Sequence, residues 1–197
     1  MKKITTAIVF SALFFTVKAQ VSFGPKAGLN ISMVKFNSPT VTVTPAYPSF
    51  YAGGFVNYSF TRNIAAQVEL FFSGEGTKYK NKGNSTVFTD KLSYLNLPIL
   101  VRYNTGGFYL ETGPQLGFLL SASQTDNGTS QSIKNNINAT KFSWCFGLGY
   151  QFMKTAGIGI RYAAGLSNIN KNSSGTNVKG SVLSLGLSYA IHLKKLK

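Results

Sequence analysis

The chain has 197 residues, enough for one domain, and its 16 Phe, 10 Tyr and 20 Gly against five acidic residues are typical of a strand-rich protein without the charged surface of a soluble domain. The net charge of +15 raises nucleic acid as a partner, but the cations are scattered over the leader, loops and tail, and the basic stripe of nucleic-acid-binding proteins is missing. Cys145 is the only cysteine, which excludes an intramolecular disulfide, and no Cys or His spacing predicts a metal or cofactor site.

The predicted elements begin with a leader in residues 1–19. Lys2 and Lys3 form a short basic segment, an apolar run covers residues 4–17, and small residues follow at the predicted cleavage site. The apolar run is shorter than the roughly 20 residues that a membrane-spanning helix needs. We therefore predict a bacterial secretory signal peptide that is cleaved before Gln20, rather than a transmembrane anchor.

The first half of the mature chain shows apolar side chains alternating with polar or small ones, the period of a half-buried strand. This pattern predicts strands at residues 23–35, 50–61 and 64–73, the last two joined by a tight turn. Residues 36–49 contain several prolines and break the alternation, so we predict a long loop there. The polar residues 74–90 predict a second long loop.

Residues 94–120 form the clearest unit, a β-hairpin whose arms meet at the predicted turn 104–107. One face is apolar, and the other is polar or small and carries Arg102 and Glu111. The apolar face consists mainly of Leu95, Leu97, Ile99, Val101, Tyr103, Phe108, Leu110, Leu116 and Phe118. Pro98 and Pro114 interrupt the arms, and a bulge at either one would shift the faces by one residue.

The second half repeats the pattern after a third predicted loop at residues 121–141. Strands are predicted at residues 142–152 and 157–166, with a short turn between them. A fourth long loop at 167–180 leads into the eighth strand, residues 183–192. Eight strands are therefore joined by short turns and long loops in alternation.

This alternation predicts a transmembrane barrel. Barrels of the bacterial outer membrane have short periplasmic turns, longer external loops and strands of about 10 residues that are apolar toward lipid. A closed barrel also leaves no unpaired strand edge in hydrocarbon. We predict an all-β fold, an eight-stranded antiparallel up-and-down transmembrane β-barrel over residues 20–197, integral to a bacterial outer membrane with extracellular loops and both mature termini periplasmic.

A soluble eight-stranded ligand carrier would have the same period, but its polar face would be densely charged. Here the polar face is mostly Gly, Ser, Asn, Gln and Ala, which suits a narrow lumen filled by side chains. Aromatic residues near both strand ends predict two girdles at lipid interfaces. They are Phe60, Tyr103, Phe108, Tyr150, Phe152 and Tyr189 at the turn side, and Phe50, Phe72, Phe118, Phe142 and Trp144 at the loop side.

Four segments carry a family resemblance: YLNLPILVR at 94–102, YLETGPQLGFLL at 109–120, FGPKAGLNIS at 23–32 and RYAAGLSNI at 161–169. In this order the chain resembles the PorT-type outer-membrane β-barrel family. The resemblance implies the same architecture over nearly all of the mature chain. One member type of that family works in a protein-export machine of the outer membrane, so the resemblance also implies export as an alternative role.

Five charged residues face the predicted lumen: Lys26, Glu69, Arg102, Glu111 and Arg161. Charges removed from water must be paired, so we predict one charge network that plugs the barrel. The alternative is an ion gate, although eight strands leave little room for a pore. A glycosidase pair of Glu69 and Glu111 would need a sugar-sized cleft, which so narrow a lumen does not offer.

A second set of charges lies in the predicted loops. Lysines there are predicted to form a solvated rim, or else to contact lipopolysaccharide phosphates at the outer leaflet. The candidates for lipopolysaccharide contact are Lys78, Lys80, Lys82, Lys134 and Lys141, and Lys171 and Lys179 belong to the same rim.

The predicted function is structural or interactive at the cell surface, without catalysis, cofactor, metal or nucleic acid. The expected partners are outer-membrane lipid and lipopolysaccharide, the barrel-assembly machinery and other envelope proteins. The alternatives are a narrow pore, a component of an outer-membrane protein-export machine and, with least support, a soluble periplasmic ligand carrier.

Overall fold

The computed structural model describes residues 20–36, 41–44, 47–81, 87–126, 129–171 and 178–192. Strands dominate these residues, and a single turn of 3-10 helix covers Lys134–Asn136. The strands are β1 (Gln20–Phe36), β2 (Val41–Thr44), β3 (Tyr47–Ser59), β4 (Ile64–Asn81), β5 (Val87–Thr105), β6 (Phe108–Asp126), β7 (Thr129–Ser132), β8 (Thr140–Gln151), β9 (Ala156–Gly165), β10 (Val178–Tyr189) and β11 (Ile191–His192). The predicted signal peptide, residues 1–19, lies outside the described residues.

Eight of the strands form a closed antiparallel ring in the order β1, β3, β4, β5, β6, β8, β9 and β10. The ring closes between its first and last strands, where pairing runs from Lys26 opposite Ser188 to Phe36 opposite Val178. Apart from this closing pair, ring strands that pair with each other follow one another in chain order, so the topology is up-and-down. The predicted eight-stranded barrel is confirmed. No helix among the described residues has the length and apolarity needed to cross a membrane.

The alternation of side chains along the ring strands follows the predicted faces. In β6, residues from Phe108 to Leu116 alternate between exposed outward side chains and buried inward ones, apart from the half-buried Pro114. All eleven residues of the two predicted aromatic girdles are exposed on the outer face. Neither Pro98 nor Pro114 shifts the faces; the irregularity in β5–β6 pairing lies at Ser93/Tyr94 instead. The apolar band is therefore continuous around the outside of the barrel.

The hairpin turn between β5 and β6 is tighter than predicted. Thr105 pairs with Phe108, which leaves only Gly106 and Gly107 in the turn. Both have positive φ, +56° and +87°, as a type I′ turn requires at its two central residues. Glycine is well suited to both positions because a side chain is strained in the left-handed region.

The predicted long loops are partly wrong, because strands extend into all four of them. β4 and β5 continue to pair from Gly74 opposite Ser93 to Lys80 opposite Val87, through the predicted loop 74–90. β2 adds to the edge of β4, and β7 adds to the end of β6. A five-stranded sheet therefore projects beyond the ring on the loop side. Its strands are polar because they stand outside the apolar band, and so they lack the alternation from which the other strands were predicted.

The core lies inside the ring and is mostly polar. Two tyrosines, Tyr51 and Tyr109, fill space that glycines leave on facing strands. A Cβ on Gly186 would overlap the hydroxyl of Tyr51, and one on Gly159 would overlap the hydroxyl of Tyr109. A small apolar cluster at the loop-side end comprises Leu92, Tyr94, Leu119 and Ala122, with Ile133 and Ile137 packed against it.

Candidate functional site in the barrel interior

The five charged residues predicted to face the lumen meet in one cluster. Lys26 projects from β1, Glu69 from β4, Arg102 from β5, Glu111 from β6 and Arg161 from β9. Arg102, Glu111, Arg161 and Glu69 are buried, and the Lys26 side chain is 11% exposed. Because their strands lie on different sides of the ring, the cluster crosses the lumen.

Arg161 holds the two carboxylates of the cluster. Its Nη1 and Nη2 donate to Glu69 Oε2 and Oε1 at 2.6 and 2.7 Å, a bidentate pair. Its Nε donates to Glu111 Oε1 at 2.8 Å. One guanidinium therefore links three strands, β4, β6 and β9, across the interior.

Glu69 is the most heavily bonded carboxylate among the described residues. Besides Arg161, its Oε1 accepts from Lys26 Nζ at 3.1 Å and from Gln67 Nε2 at 2.6 Å. Gln67 in turn accepts a hydrogen bond from Asn57 Nδ2 at 3.2 Å. These neutral amides extend the network toward the turn side.

Arg102 is held differently from Arg161. Its Nη1 donates to Gln67 Oε1, while its Nε lies 3.7 Å from Glu111 Oε2, beyond hydrogen-bond distance. The guanidinium carbon stands 3.8 Å from the centre of the Tyr109 ring, a cation–π geometry. Arg102 is therefore fixed mainly by an amide and an aromatic face rather than by a carboxylate.

A second buried ion pair, between Lys141 and Glu75, lies at the loop-side end of the interior. Lys141 Nζ is 2.6 Å from both carboxylate oxygens of Glu75, and the Lys141 side chain is only 2% exposed. Its ammonium also lies 4.4 Å from the centre of the Tyr94 ring. The assignment of Lys141 to the exposed loop lysines is therefore wrong, because β8 begins at Thr140 and turns Lys141 inward.

The other loop lysines lie outside the barrel interior where they are described. Lys78 and Lys134 are exposed, and Lys134 Nζ donates to the Leu120 carbonyl at 2.9 Å. Lys171 and Lys179 are exposed as well. Lys82, like the side chain of Lys80, falls outside the part of the chain that the structure describes.

Sequence reasoning missed two charged residues and one network amide. Glu75 lay in the predicted loop 74–90 and Lys91 between that loop and the predicted hairpin. Strand parity would have assigned Glu75 to the inward face with Glu69 and Lys91 to the outward face with Leu95. Gln67 has the parity of Glu69 and so belongs to the inward face, but a neutral amide carries no charge from which a partner could be predicted.

The interior offers little chemistry beyond ion pairing. Both Glu69 and Glu111 are bound to Arg161, so neither carboxylate stands free to move a proton. Cys145 is buried and its Sγ donates to Gln115 Oε1 at 3.3 Å. No group of His, Cys, Asp and Glu among the described residues is arranged to hold a metal ion.

A closed ring of eight antiparallel strands with an apolar outer band and a paired polar interior defines a transmembrane β-barrel. Residues 16–171 match the family described as "Outer membrane protein beta-barrel domain", and the chain belongs to that family. The protein is accordingly a β-barrel of the bacterial outer membrane.

Solved structures share this fold at low sequence identity. Ail, the attachment invasion locus protein of Yersinia pestis, is 16% identical with a TM-score of 0.51, over 86% of this chain and 98% of its own. Neisserial surface protein A is 18% identical with a TM-score of 0.51, over 85% and 96%. No curated protein matches the sequence.

Proposed function

We propose that the protein is a non-catalytic, non-conducting barrel that presents its loop-side sheet for interactions at the cell surface. The observation that carries the proposal is the charge cluster centred on Arg161, which joins strands from different sides of the ring. A lumen filled by such bonded side chains has no continuous water path. The apolar packing of Ile133 and Ile137 at the loop-side end supports the same conclusion.

We infer the orientation from the asymmetry of the two ends. Gln20 pairs with Ser59 beside a short turn, and His192 pairs with Ser22, so both described ends lie on the turn side. Short turns face the periplasm in barrels of this kind. The five-stranded sheet would then stand outside the cell.

Planar lipid bilayer recordings test the closed lumen. The wild type is expected to give no conductance steps, because every charged side chain of the cluster lies within 4 Å of a partner of opposite charge. Arg102→Ala is also expected to be silent, since the Arg161 bonds remain. Steps from wild type would contradict the closed lumen, and steps from Arg102→Ala alone would indicate a gate. Lys154→Ala, on the exposed turn after β8, is the matched control.

A second interaction, with lipopolysaccharide phosphates, is supported by the position of two outward lysines. Lys78 on β4 and Lys91 on β5 are exposed on the outer face, six residues beyond Phe72 and four residues beyond Leu95. Both lie on the side of the apolar band where the loop-side head groups begin, and anionic lipid attracts basic groups near its surface. We propose that these two lysines contact the phosphates, together with Lys134.

Lipopolysaccharide bound to the purified barrel measures this contact. A variant carrying Lys78→Gln and Lys91→Gln is expected to retain less than half of the wild-type amount, since each cation near an anionic surface contributes about 1 kcal/mol. Lys154→Gln on the turn side is expected to retain all of it. Equal retention by all three proteins would rule the contact out.

The finer assignment to the PorT-type family remains a proposal that rests on the motifs at residues 94–102 and 109–120. These motifs supply Arg102 and Glu111 to the charge cluster. That assignment would support a role in protein export. In that role the barrel is expected to co-purify with other envelope proteins. A barrel that purifies alone from cross-linked cells would argue against it.

A further inference from the structure

A polar cup opens at the turn-side mouth of the barrel, below the charge cluster, with a volume of about 170 Å³. We propose that this cup binds a small oxyanion, of the phosphate or carboxylate class, between Arg62 and Arg102. Arg62 comes from the turn between β3 and β4, and Arg102 from the inner face of β5. The cup is separate from the loop-side sheet, so the inference goes beyond the surface role proposed above.

The two residues that give the cup its charge, Arg62 and Arg102, are both cations. Besides the two arginines it is lined by His192, and no acidic residue occurs among the described residues that line it. The sequence has five acidic residues in all, and none lies on the turn side of the charge cluster: Glu69, Glu75, Asp90, Glu111 and Asp126. An anion that enters the cup therefore meets two arginines and no lining carboxylate; Glu111, which lies 3.7 Å from Arg102 Nε, belongs to the charge cluster above the cup.

The charge cluster above the cup is itself unbalanced. It contains three cations, Lys26, Arg102 and Arg161, against two carboxylates, Glu69 and Glu111. Arg102 is the least compensated cation, because its contact with Glu111 is 3.7 Å while the contacts of Arg161 are 2.6 Å. A buried charge without full compensation is costly, so a bound anion beside Arg102 would stabilise the cluster.

Arg102 is also preorganised to bind an oxyanion. Its side chain is 9% exposed and fixed against the Tyr109 ring. Its Nε is buried 3.7 Å from Glu111 Oε2 and its Nη1 donates to Gln67, which leaves Nη2 for a bound anion. A guanidinium held in one position loses little entropy when it binds an oxyanion, and its planar fork matches phosphate and carboxylate geometry. Amide side chains of Asn57, Asn104 and Gln151 complete a polar lining.

The size of the cup limits what it can hold. Its volume lies below the roughly 300 Å³ at which pockets for drug-sized ligands begin. A four-oxygen anion or a short carboxylate with a few waters fits, whereas a sugar chain or a nucleotide does not. The occupant is therefore a small anion that reaches the turn-side face from solution.

Isothermal titration of the full-length mature barrel, refolded in neutral detergent, tests the proposal. Inorganic phosphate and succinate are titrated separately at constant ionic strength set with chloride. We expect saturable binding to one site for at least one of them, and the anion that binds identifies the class. Arg62→Gln is expected to weaken that binding about tenfold, the loss of one charge-assisted hydrogen bond.

Lys154→Gln is the matched control, because Lys154 is exposed on another turn of the same end and does not line the cup. It is expected to bind as the wild type does. Each variant must show the faster gel mobility of the unheated wild type, so that lost binding is not lost fold. Absence of saturable binding for both anions, or equal weakening in the two variants, would overturn the proposal.

Discussion

Arg161 is the central residue of the charge cluster, because its guanidinium donates hydrogen bonds of 2.6 to 2.8 Å to both Glu69 and Glu111. Removing it leaves two buried carboxylates with Lys26 and the more distant Arg102 as counter-charges. Breaking a buried ion pair by removing one partner costs about 3 to 5 kcal/mol. The stability lost in this way exceeds what the intact ion pair contributes to folding, because the remaining carboxylates stay charged in the interior.

We therefore expect Arg161→Met to lower the free energy of unfolding by about 3 to 5 kcal/mol, measured by urea titration of the barrel in lipid vesicles. Arg161→Lys should recover only part of this, because a lysine cannot reproduce the bidentate fork. Lys154→Met, exposed on a turn, should change little. Wild-type stability of Arg161→Met would show that the cluster does not stabilise the barrel.

At the scale of single residues, strand parity alone was sufficient to group the five lumen charges. The outward positions of these strands are apolar, so a charged residue at the alternate positions faces the lumen. Parity was not applied to Lys141 and Glu75, which form the second ion pair at 2.6 Å, because both were placed in predicted loops. Lys141 is the second residue of β8, and Glu75 lies in the polar extension of β4, where the apolar alternation that fixes the face has stopped. Their pairing depends on strand length, which local pattern does not encode.

Tyrosines that fill the space above glycines fix how closely the strands pack. The Tyr109 hydroxyl stands where a Cβ on Gly159 would be. From that Cβ position the Tyr109 Cζ is 3.3 Å away and the Leu148 carbonyl oxygen 3.4 Å. The ring cannot swing aside freely, because Arg102 stacks on it at 3.8 Å. The packing of β6, β8 and β9 therefore requires that residue 159 has no side chain.

Gly159→Ala is expected to destabilise the barrel by about 1 to 3 kcal/mol through overpacking. Adding Tyr109→Phe should restore part of that loss, since it removes the atom that overlaps the new methyl group. Gly54→Ala is the matched control, because its Cβ would meet only the Gly24 carbonyl at 3.4 Å. Urea unfolding of the four proteins gives the comparison. No effect of Gly159→Ala, or no rescue by Tyr109→Phe, would contradict this packing.

At the scale of elements, the eight ring strands were predictable because lipid on one side and a polar lumen on the other impose a strict period of two. The extensions of β4, β5 and β6, and the short strands β2 and β7, were not. They stand in water, where backbone pairing needs no apolar face and residues such as Lys78 and Thr89 pair across strands. Their composition is that of a loop although their backbone is that of a sheet.

The molecule as a whole depends on the seam between β1 and β10. That seam joins residues 154 positions apart in the chain, for example Asn30 and Ser184, whose side chains also share a hydrogen bond of 2.8 Å. A ring closed in this way has no free strand edge in the membrane, so local fraying is suppressed and the barrel unfolds as a unit. Closure should therefore survive detergent that unfolds ordinary sheets.

The most direct measurement is an electrophoretic mobility shift on isolated outer membranes, with samples in dodecyl sulfate loaded either unheated or boiled. The closed barrel predicts that the protein is found in the outer-membrane fraction and that the unheated band migrates faster than the boiled band, because the compact ring resists the detergent until heat opens it. A protein recovered in the soluble fraction, or a single band of unchanged mobility in the membrane fraction, would contradict the closed transmembrane barrel.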